Sequence, residues 1–255
     1  MNVVVLAKYV PNPNGVPELG DDFLLKREGV EGALDPGDEF AVEAGLQLAE
    51  AQGGEVTIVS MGPEVAQGGV RKALSMGAHK AVLITDDSLR GADTLVTARA
   101  LAAAIKKAEF DIVISGVEST DGYTGTLPMT LAGLLGIPSV TFARKLDVAD
   151  GEIRVERQTE LGYDVVEAEL PVVVTVTAGA TDPRYPTLKG IMQAKQKPVE
   201  RYCVSDLGLS AEDVAPTQRV AGVDAAPEKA AGEIVEDDGS AAQRIAQFLQ
   251  EAKVI

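Results

Sequence analysis

The sequence predicts a doubly wound α/β fold, nucleotide-binding and Rossmann-like, on a mostly parallel sheet. Three observations carry the prediction. Apolar runs rich in Val and Ile recur from Val3 to Ala143. Helical patterns of Ala, Leu and charged residues separate them. Glycine or a hydroxyl residue closes several of the runs, as in VSMG and VISG. Strands covered on both faces read as continuous apolar stretches, and strand–helix alternation calls for parallel crossovers.

The elements follow in order. Val3 to Ala7 is a buried strand, and Pro11, Pro13, Gly15 and Pro17 make the loop after it. DPGDEFAVEAGLQLAEAQGG reads as a helix capped by Asp35 or Asp38 and stopped at Gly53–Gly54. Phe40, Ala41, Ala44 and Leu48 share its inner face. EVTIVSMG is a strand, PEVAQGGVRKALSMGA a helix, and HKAVLITD the next strand. GADTLVTARALAAAIKKAEF is rich in the strong helix formers Ala and Leu. DIVISGVES is a strand ending at Gly116, TGTLPMTLAGLLGI a helix with Pro128 near its start, and IPSVTFA another strand. GEIRVERQTELGYDVVEAELPVVVTV reads as an added β-hairpin leading into a last apolar strand. Residues 1–204 form the α/β domain, and residues 205–255 an extended C-terminal arm. The arm shifts to Ala, Glu, Asp, Pro and Gly, too polar for a core of its own. It closes on SAAQRIAQFLQEAKVI, a short helix with Ile245, Phe248 and Leu249 on one side, a face suited to docking.

Acidic residues number 39 against 23 basic, for a net charge of -16, which argues against nucleic acid as a general partner. Trp is absent and aromatics make up 4%, so no stacking platform is indicated. The single cysteine, Cys203, forbids an intrachain disulfide and fits a reducing compartment. One histidine, His79, reads as a surface residue, and no metal site is expected. The first apolar run is too short to span a bilayer. The expectation is a cytoplasmic protein without membrane insertion.

In a doubly wound sheet, ligands sit beyond the carboxyl ends of the strands. GVESTDGYTGTLP is the most informative such stretch. Gly122 and Gly125 let a backbone approach a ligand closely, while Thr124, Thr126 and the free N–H groups of the helix start can hold a phosphate. An ordinary strand-to-helix turn accounts for the same pattern. Neither GxGxxG nor a Walker loop is present, and no acid, base or nucleophile stands out. The residues alone point to a nucleotide-binding α/β protein without its own chemistry.

The stretches LAKYVPNPNG, DEFAVEAGLQLAE, VSMGPEVAQGGVRKALSMGAHKAVLI, GVESTDGYTGTLP, VERQTELGYDVVEAELPVVVTV and DPRYPTLKGIMQAKQKPVE together resemble the beta subunit of electron-transfer flavoprotein, up to about Val204. The resemblance implies a heterodimer with a larger alpha subunit that carries one FAD close to beta. It implies single-electron transfer from flavin dehydrogenases, such as the acyl-CoA dehydrogenases of fatty acid oxidation, to a membrane quinone oxidoreductase. It implies an electron carrier subunit rather than an enzyme, with a structural AMP and a tail that wraps on the alpha subunit. The AMP pocket falls on Leu6, Asp35, Met61, Ser119, Gly122, Gly125, Thr126 and Leu127, with the phosphate on the loop from Gly122 to Leu127.

The segment 181–197 matches the family's recognition loop. Leu188 is its anchor for an apolar pocket on the dehydrogenase, and Lys195 and Lys197 steer toward an acidic rim. Ile191 and Met192 are expected to pack inward, and Leu188 to be exposed. The sequence also departs from the family. Asp35 stands where most relatives have Asn, and Pro13 and Gly37 where several have aromatics beside the flavin. Leu161 and Asp164 replace more usual acidic, Gly or Glu/Gln residues, and Gln158 a Glu that pairs with an alpha-subunit Arg. Two alternatives remain. One is a bifurcating member with a second FAD in place of AMP. The other is a stand-alone adenine-nucleotide-binding protein or hydrolase, against which the lack of a Lys in the phosphate loop counts.

Overall fold

A computed structural model describes residues 1–224, 226, 232 and 234–255. The chain divides into two units, residues 1–220 and 221–255. In the first, β1 (Asn2–Leu6), β2 (Tyr9–Pro11) and β3 (Gly32–Leu34) precede α1 (Pro36–Gln52). β4 (Glu55–Met61), α2 (Gln67–Met76), β5 (Lys80–Ile84), α3 (Thr94–Ile105), β6 (Ile112–Gly116) and α4 (Leu127–Leu135) complete the alternation. Next come β7 (Ser139–Ala149), β8 (Glu152–Thr159), β9 (Gly162–Glu169) and β10 (Val172–Val176). The unit closes with α5 (Leu188–Ala194) and β11 (Val199–Tyr202).

The main sheet has the order β11-β5-β4-β1-β6-β10-β7-β8-β9. Pairing is parallel from β11 to β7 and antiparallel through β8 and β9. The predicted doubly wound architecture is therefore present, and the added hairpin extends one end of the sheet. β7 runs further than its apolar start indicated. A register shift around Phe142, whose φ is 58°, bends it out to pair with β8. β11 and the small β2–β3 sheet were not expected.

Alternate strand residues face opposite layers. Val3, Val5, Ile112, Ile114, Val172 and Val174 pack into one core cluster with residues of α1 and α2. Val4, Leu6, Val113 and Val173 join another with α3 and α4. Winding reverses at β1, whose neighbours β4 and β6 lead to opposite sides of the sheet. That reversal opens the crevice in which such sheets hold ligands.

Caps fix the helices. Asp35 Oδ1 accepts a hydrogen bond from Gly37 N at 2.9 Å, with Pro36 opening α1, and Gly53 at φ 70° ends it. Gly45 brings α1 close to the sheet, since a Cβ there would lie 2.7 Å from Val5 Cγ2. Gly45→Ala would gain about 1 kcal/mol of helix propensity against an overpacking cost of about 1–3 kcal/mol. A lowered urea midpoint is expected. A raised midpoint would mean that α1 can move off the sheet without cost.

The first unit continues past residue 204. Leu207 and Val214 are buried with the α3–α4 cluster, and Thr217 donates through N and Oγ1 to Asp93 Oδ2. In the second unit, α6 (Ala241–Glu251) buries none of its residues, and Ile245 and Phe248 are exposed. Residues 225, 227–231 and 233 of the expected arm lie outside the described residues. Among the described residues, no helix is long and apolar enough to cross a membrane.

Candidate functional site

The crevice lies where β1 and β6 end. Lys8 follows β1 and donates its backbone N–H to Asp38 Oδ2 at 2.7 Å. Its carbonyl accepts from Asp35 N at 2.9 Å, so the start of α1 is tied to the end of β1. Asp35 is fully buried, and its Oδ2 accepts from Thr120 N at 2.7 Å and Thr120 Oγ1 at 2.8 Å. One carboxylate thus caps α1 and holds the loop that follows β6.

That loop turns at once. Ser119 O accepts from Tyr123 N at 2.9 Å. Gly125 has φ 61°, a conformation that side chains disfavour, before α4 begins at Leu127. A Cβ on Gly122 would come within 3.3 Å of Ser119 Oγ and 3.8 Å of Lys8 Nζ, so the glycine leaves a bare backbone face toward an ammonium. Pro128 is buried in the first turn of α4, and the N–H groups at this helix start lie beyond the reach of intrahelical carbonyls.

The site gathers most of the expected residues. Asp35, Ser119, Gly122, Gly125 and Thr126 border the crevice around the turn from β6 to α4. Leu6 and Met61 close neighbouring strands, but both pack into the α3–α4 cluster, as does Leu127. Leu6 is buried there, whereas Met61 and Leu127 are only partly buried.

Sequence reasoning missed a charge cluster. Asp121, nearly buried, pairs with Lys8 Nζ at 2.6 Å and with the guanidinium of Arg27. Lys8 Nζ also donates to Ser119 Oγ at 3.2 Å. Burial would raise the Asp121 carboxyl, but the Lys8 and Arg27 charges and hydrogen bonds outweigh it and hold the group below its usual range. The loop itself contains no lysine, yet Lys8 supplies one from β1. Its position straight after an apolar strand was the available signal. Asp38, by contrast, is pushed up to about 8 by burial and by the neighbouring Asp35 charge.

The segment after β10 forms a separate surface. Thr187 Oγ1 caps α5 by accepting from Gly190 N at 3.0 Å. Leu188 is 76% exposed, Ile191 46% and Met192 65%. The inward packing expected for Ile191 and Met192 is not found. The side of α5 turned to α2 carries the small residues Gly190 and Ala194, four apart on one face. A Cβ on Gly190 would lie 2.6 Å from Ser75 O, and Ala194 is buried. This close seat turns all three larger side chains outward.

Lys195 is exposed, as expected. Lys197 is not a free surface cation, because its Nζ donates to Leu74 O at 2.9 Å and Ala78 O at 2.6 Å at the end of α2. Helix C-termini attract cations there, and burial lowers this ammonium's pKa. The free charge beside Leu188 comes from Lys189 and Lys195.

His79 is exposed, and its Nδ1 accepts from Val56 N at 3.0 Å. Cys203 Sγ donates to Asp206 Oδ2 at 2.9 Å. Among the described residues, no group of His, Cys, Asp or Glu is arranged to hold a metal.

Residues 22–207 match the family model described as the electron transfer flavoprotein domain. The chain is 41% identical over 264 residues to a Mycobacterium bovis protein named electron transfer flavoprotein subunit beta, covering 100% of this chain and 99% of that one. A Bacillus subtilis protein of the same name is 36% identical over the full length of both. A third relative, 38% identical over 86% of each chain, is the caffeyl-CoA reductase-Etf complex subunit CarD of Acetobacterium woodii.

Proposed function

The chain belongs to the electron transfer flavoprotein family as a beta subunit, and from that premise we propose a scaffold with two working surfaces. Beta subunits of this family are electron transfer proteins paired with an alpha subunit. The crevice between β1 and β6 holds AMP, and the chain helps to enclose the FAD carried by alpha. Residues 181–197 dock flavin dehydrogenases such as acyl-CoA dehydrogenases. Electrons then pass singly toward the quinone pool through a quinone oxidoreductase. This chain supplies binding and orientation, and the flavin supplies the redox chemistry.

The turn from Ser119 to Leu127 is the observation that carries the nucleotide assignment. It combines a bare glycine face, the start of α4 and the Lys8 ammonium, a combination that suits a phosphate. Three of the nearby carboxylates have partners already, while Glu118, whose Oε2 lies 3.3 Å from where a Cβ on Gly125 would stand, is exposed and must turn to solvent to admit a phosphate. Asp35 holds Thr120, Asp38 accepts from Lys8 N, and Asp121 is paired with Lys8 and Arg27.

Similarity to the caffeyl-CoA reductase-Etf subunit favours one second reading, a bifurcating protein with a further FAD in this crevice. Nucleotide extraction from the protein co-expressed with its alpha subunit, followed by chromatography, separates the two. Equal amounts of FAD and AMP are expected. Two FAD without AMP would establish the bifurcating reading instead. No adenine nucleotide beyond one FAD would remove the assignment of a ligand to this crevice.

A further inference from the structure

Arg184 lies in the loop between β10 and α5, four residues before Leu188. Its guanidinium makes a fork to each of two carboxylates on α1. Nε donates to Glu43 Oε2 at 2.7 Å and Nη2 to Glu43 Oε1 at 2.9 Å. Nη1 donates to Glu50 Oε1 at 2.6 Å and Nη2 to Glu50 Oε2 at 3.1 Å. The Arg184 backbone N–H adds a bond to Glu43 Oε2 at 3.2 Å. The Glu43 side chain is 4% exposed and is oriented further by Gln47 Nε2 at 2.9 Å. A guanidinium fixed on two carboxylates loses its freedom of rotation, a geometry that lysine cannot reproduce.

Other bonds fix the flanks. Thr181 Oγ1 donates to Phe40 O at 3.2 Å, again on α1. At the end of α5 and just past it, Arg71 Nη1 donates to the carbonyls of Ala194 and Lys197, and Lys197 returns to the end of α2. A seven-residue helix is too short to be stable by itself. The outward-facing Leu188, Ile191 and Met192 are therefore held in place by bonds that none of them makes.

We propose that Arg184, through its double fork to Glu43 and Glu50, is the positioning residue that pre-organises α5 for docking a redox partner with an apolar pocket. The inference rests on the docking role proposed above and adds the device that makes the docking face rigid. Ordering α5 before encounter removes a conformational cost that binding would otherwise bear. It acts on partner affinity and leaves the flavin chemistry alone.

The test uses the heterodimer with Arg184→Ala, Arg184→Lys and Glu50→Ala. Glu50 is exposed, so its variant loosens half of the clamp without threatening the fold. Amide hydrogen exchange over residues 186–194 is expected to quicken about tenfold in Arg184→Ala and about threefold in Glu50→Ala, with the sheet amides unchanged. With an acyl-CoA dehydrogenase reduced by excess acyl-CoA, the KM for the heterodimer should rise by similar factors while kcat holds. Arg184→Lys should fall between the wild type and Arg184→Ala. Unaltered exchange in α5 for both Arg184→Ala and Glu50→Ala would overturn the clamp, as would kcat and KM changing together. Leu188→Ala, run alongside, separates the two ideas. If it raises KM while the clamp variants do not, docking stands and the clamp falls. If it leaves KM unchanged while α5 exchange quickens in the clamp variants, the clamp stands and the docking role fails.

Discussion

Leu188→Ala is expected to raise the KM for a reduced flavin dehydrogenase by one to two powers of ten, with folding and nucleotide content unchanged. The side chain is 76% exposed in the free chain, so truncation leaves no cavity in its own core. Burial of a leucine in a partner's pocket contributes about 1.5–3 kcal/mol, and about 1.4 kcal/mol corresponds to a factor of ten in affinity. The loss falls mainly on partner dissociation, because interface truncations act chiefly on that rate. Salt should act differently. Lys189 and Lys195 are exposed, and on the docking role proposed above raising ionic strength should slow association in wild type and variant alike. Stopped-flow reduction of the heterodimer at several salt concentrations checks both points. Equal KM values for wild type and Leu188→Ala would remove the anchor role and leave Ile191 and Met192 as the apolar candidates.

Asp38→Asn should change how stability depends on pH. In the folded chain burial, reinforced by the Asp35 charge, lifts the Asp38 carboxyl from its ordinary 3.8 to about 8. The Lys8 and Gly116 amides and the Lys8 charge act in the opposite direction and do not overcome the burial. Between those two pH values the folded state holds a proton that the unfolded state has released. Stability therefore falls as pH rises through this window, by up to about 1.4 kcal/mol per pH unit. The decline stops above about pH 8, where both states are ionised. Asparagine cannot ionise, so the difference between variant and wild type should move steadily in the variant's favour from pH 5 to pH 8. Carboxylates without contact to Asp38 act equally in both proteins and cancel in that difference, which leaves Asp38 and the Asp35 charge coupled to it. Urea midpoints measured across the range provide the test, and parallel profiles for the two proteins would show that Asp38 titrates normally.

The parts of the fold legible in the sequence are those written locally. Asp35 before Pro36 and Gly53 after Gln52 mark α1 without reference to any partner. The Val and Ile runs of β1, β4, β6 and β10 mark buried strands because both of their faces are covered. β11 has no such mark. Val199, Glu200, Arg201 and Tyr202 make no continuous apolar run, since an edge strand can leave charged side chains in water. β2 and β3 are each short and are separated by a long loop, so neither carries a periodic signal.

The site divides in the same way. Its glycines and strand ends could be found by position, but the pairing of Arg27 with Asp121 joins residues far apart in sequence. The spacing of Leu188, Ile191 and Met192 resembled the inner stripe of an amphipathic helix. Gly190 and Ala194 make the close contact instead, and small residues give hydrophobic periodicity little to detect.

The route of the chain around α5 has a further consequence. β10 lies between β6 and β7, whereas β11 is the strand at the far edge beside β5. The linking segment must therefore cross about 24 Å of sheet at a strand spacing of about 4.8 Å, passing over both α1 and α2. Its far end pairs Val199 with Ala81, a contact between distant parts of the chain, and contacts of that kind slow folding because a large loop must close before they form. The surface that carries Leu188 therefore lies on helices from the first third of the chain and leads into a strand from its last third. On the docking role proposed above, a half-folded subunit would present no ordered face to a redox partner.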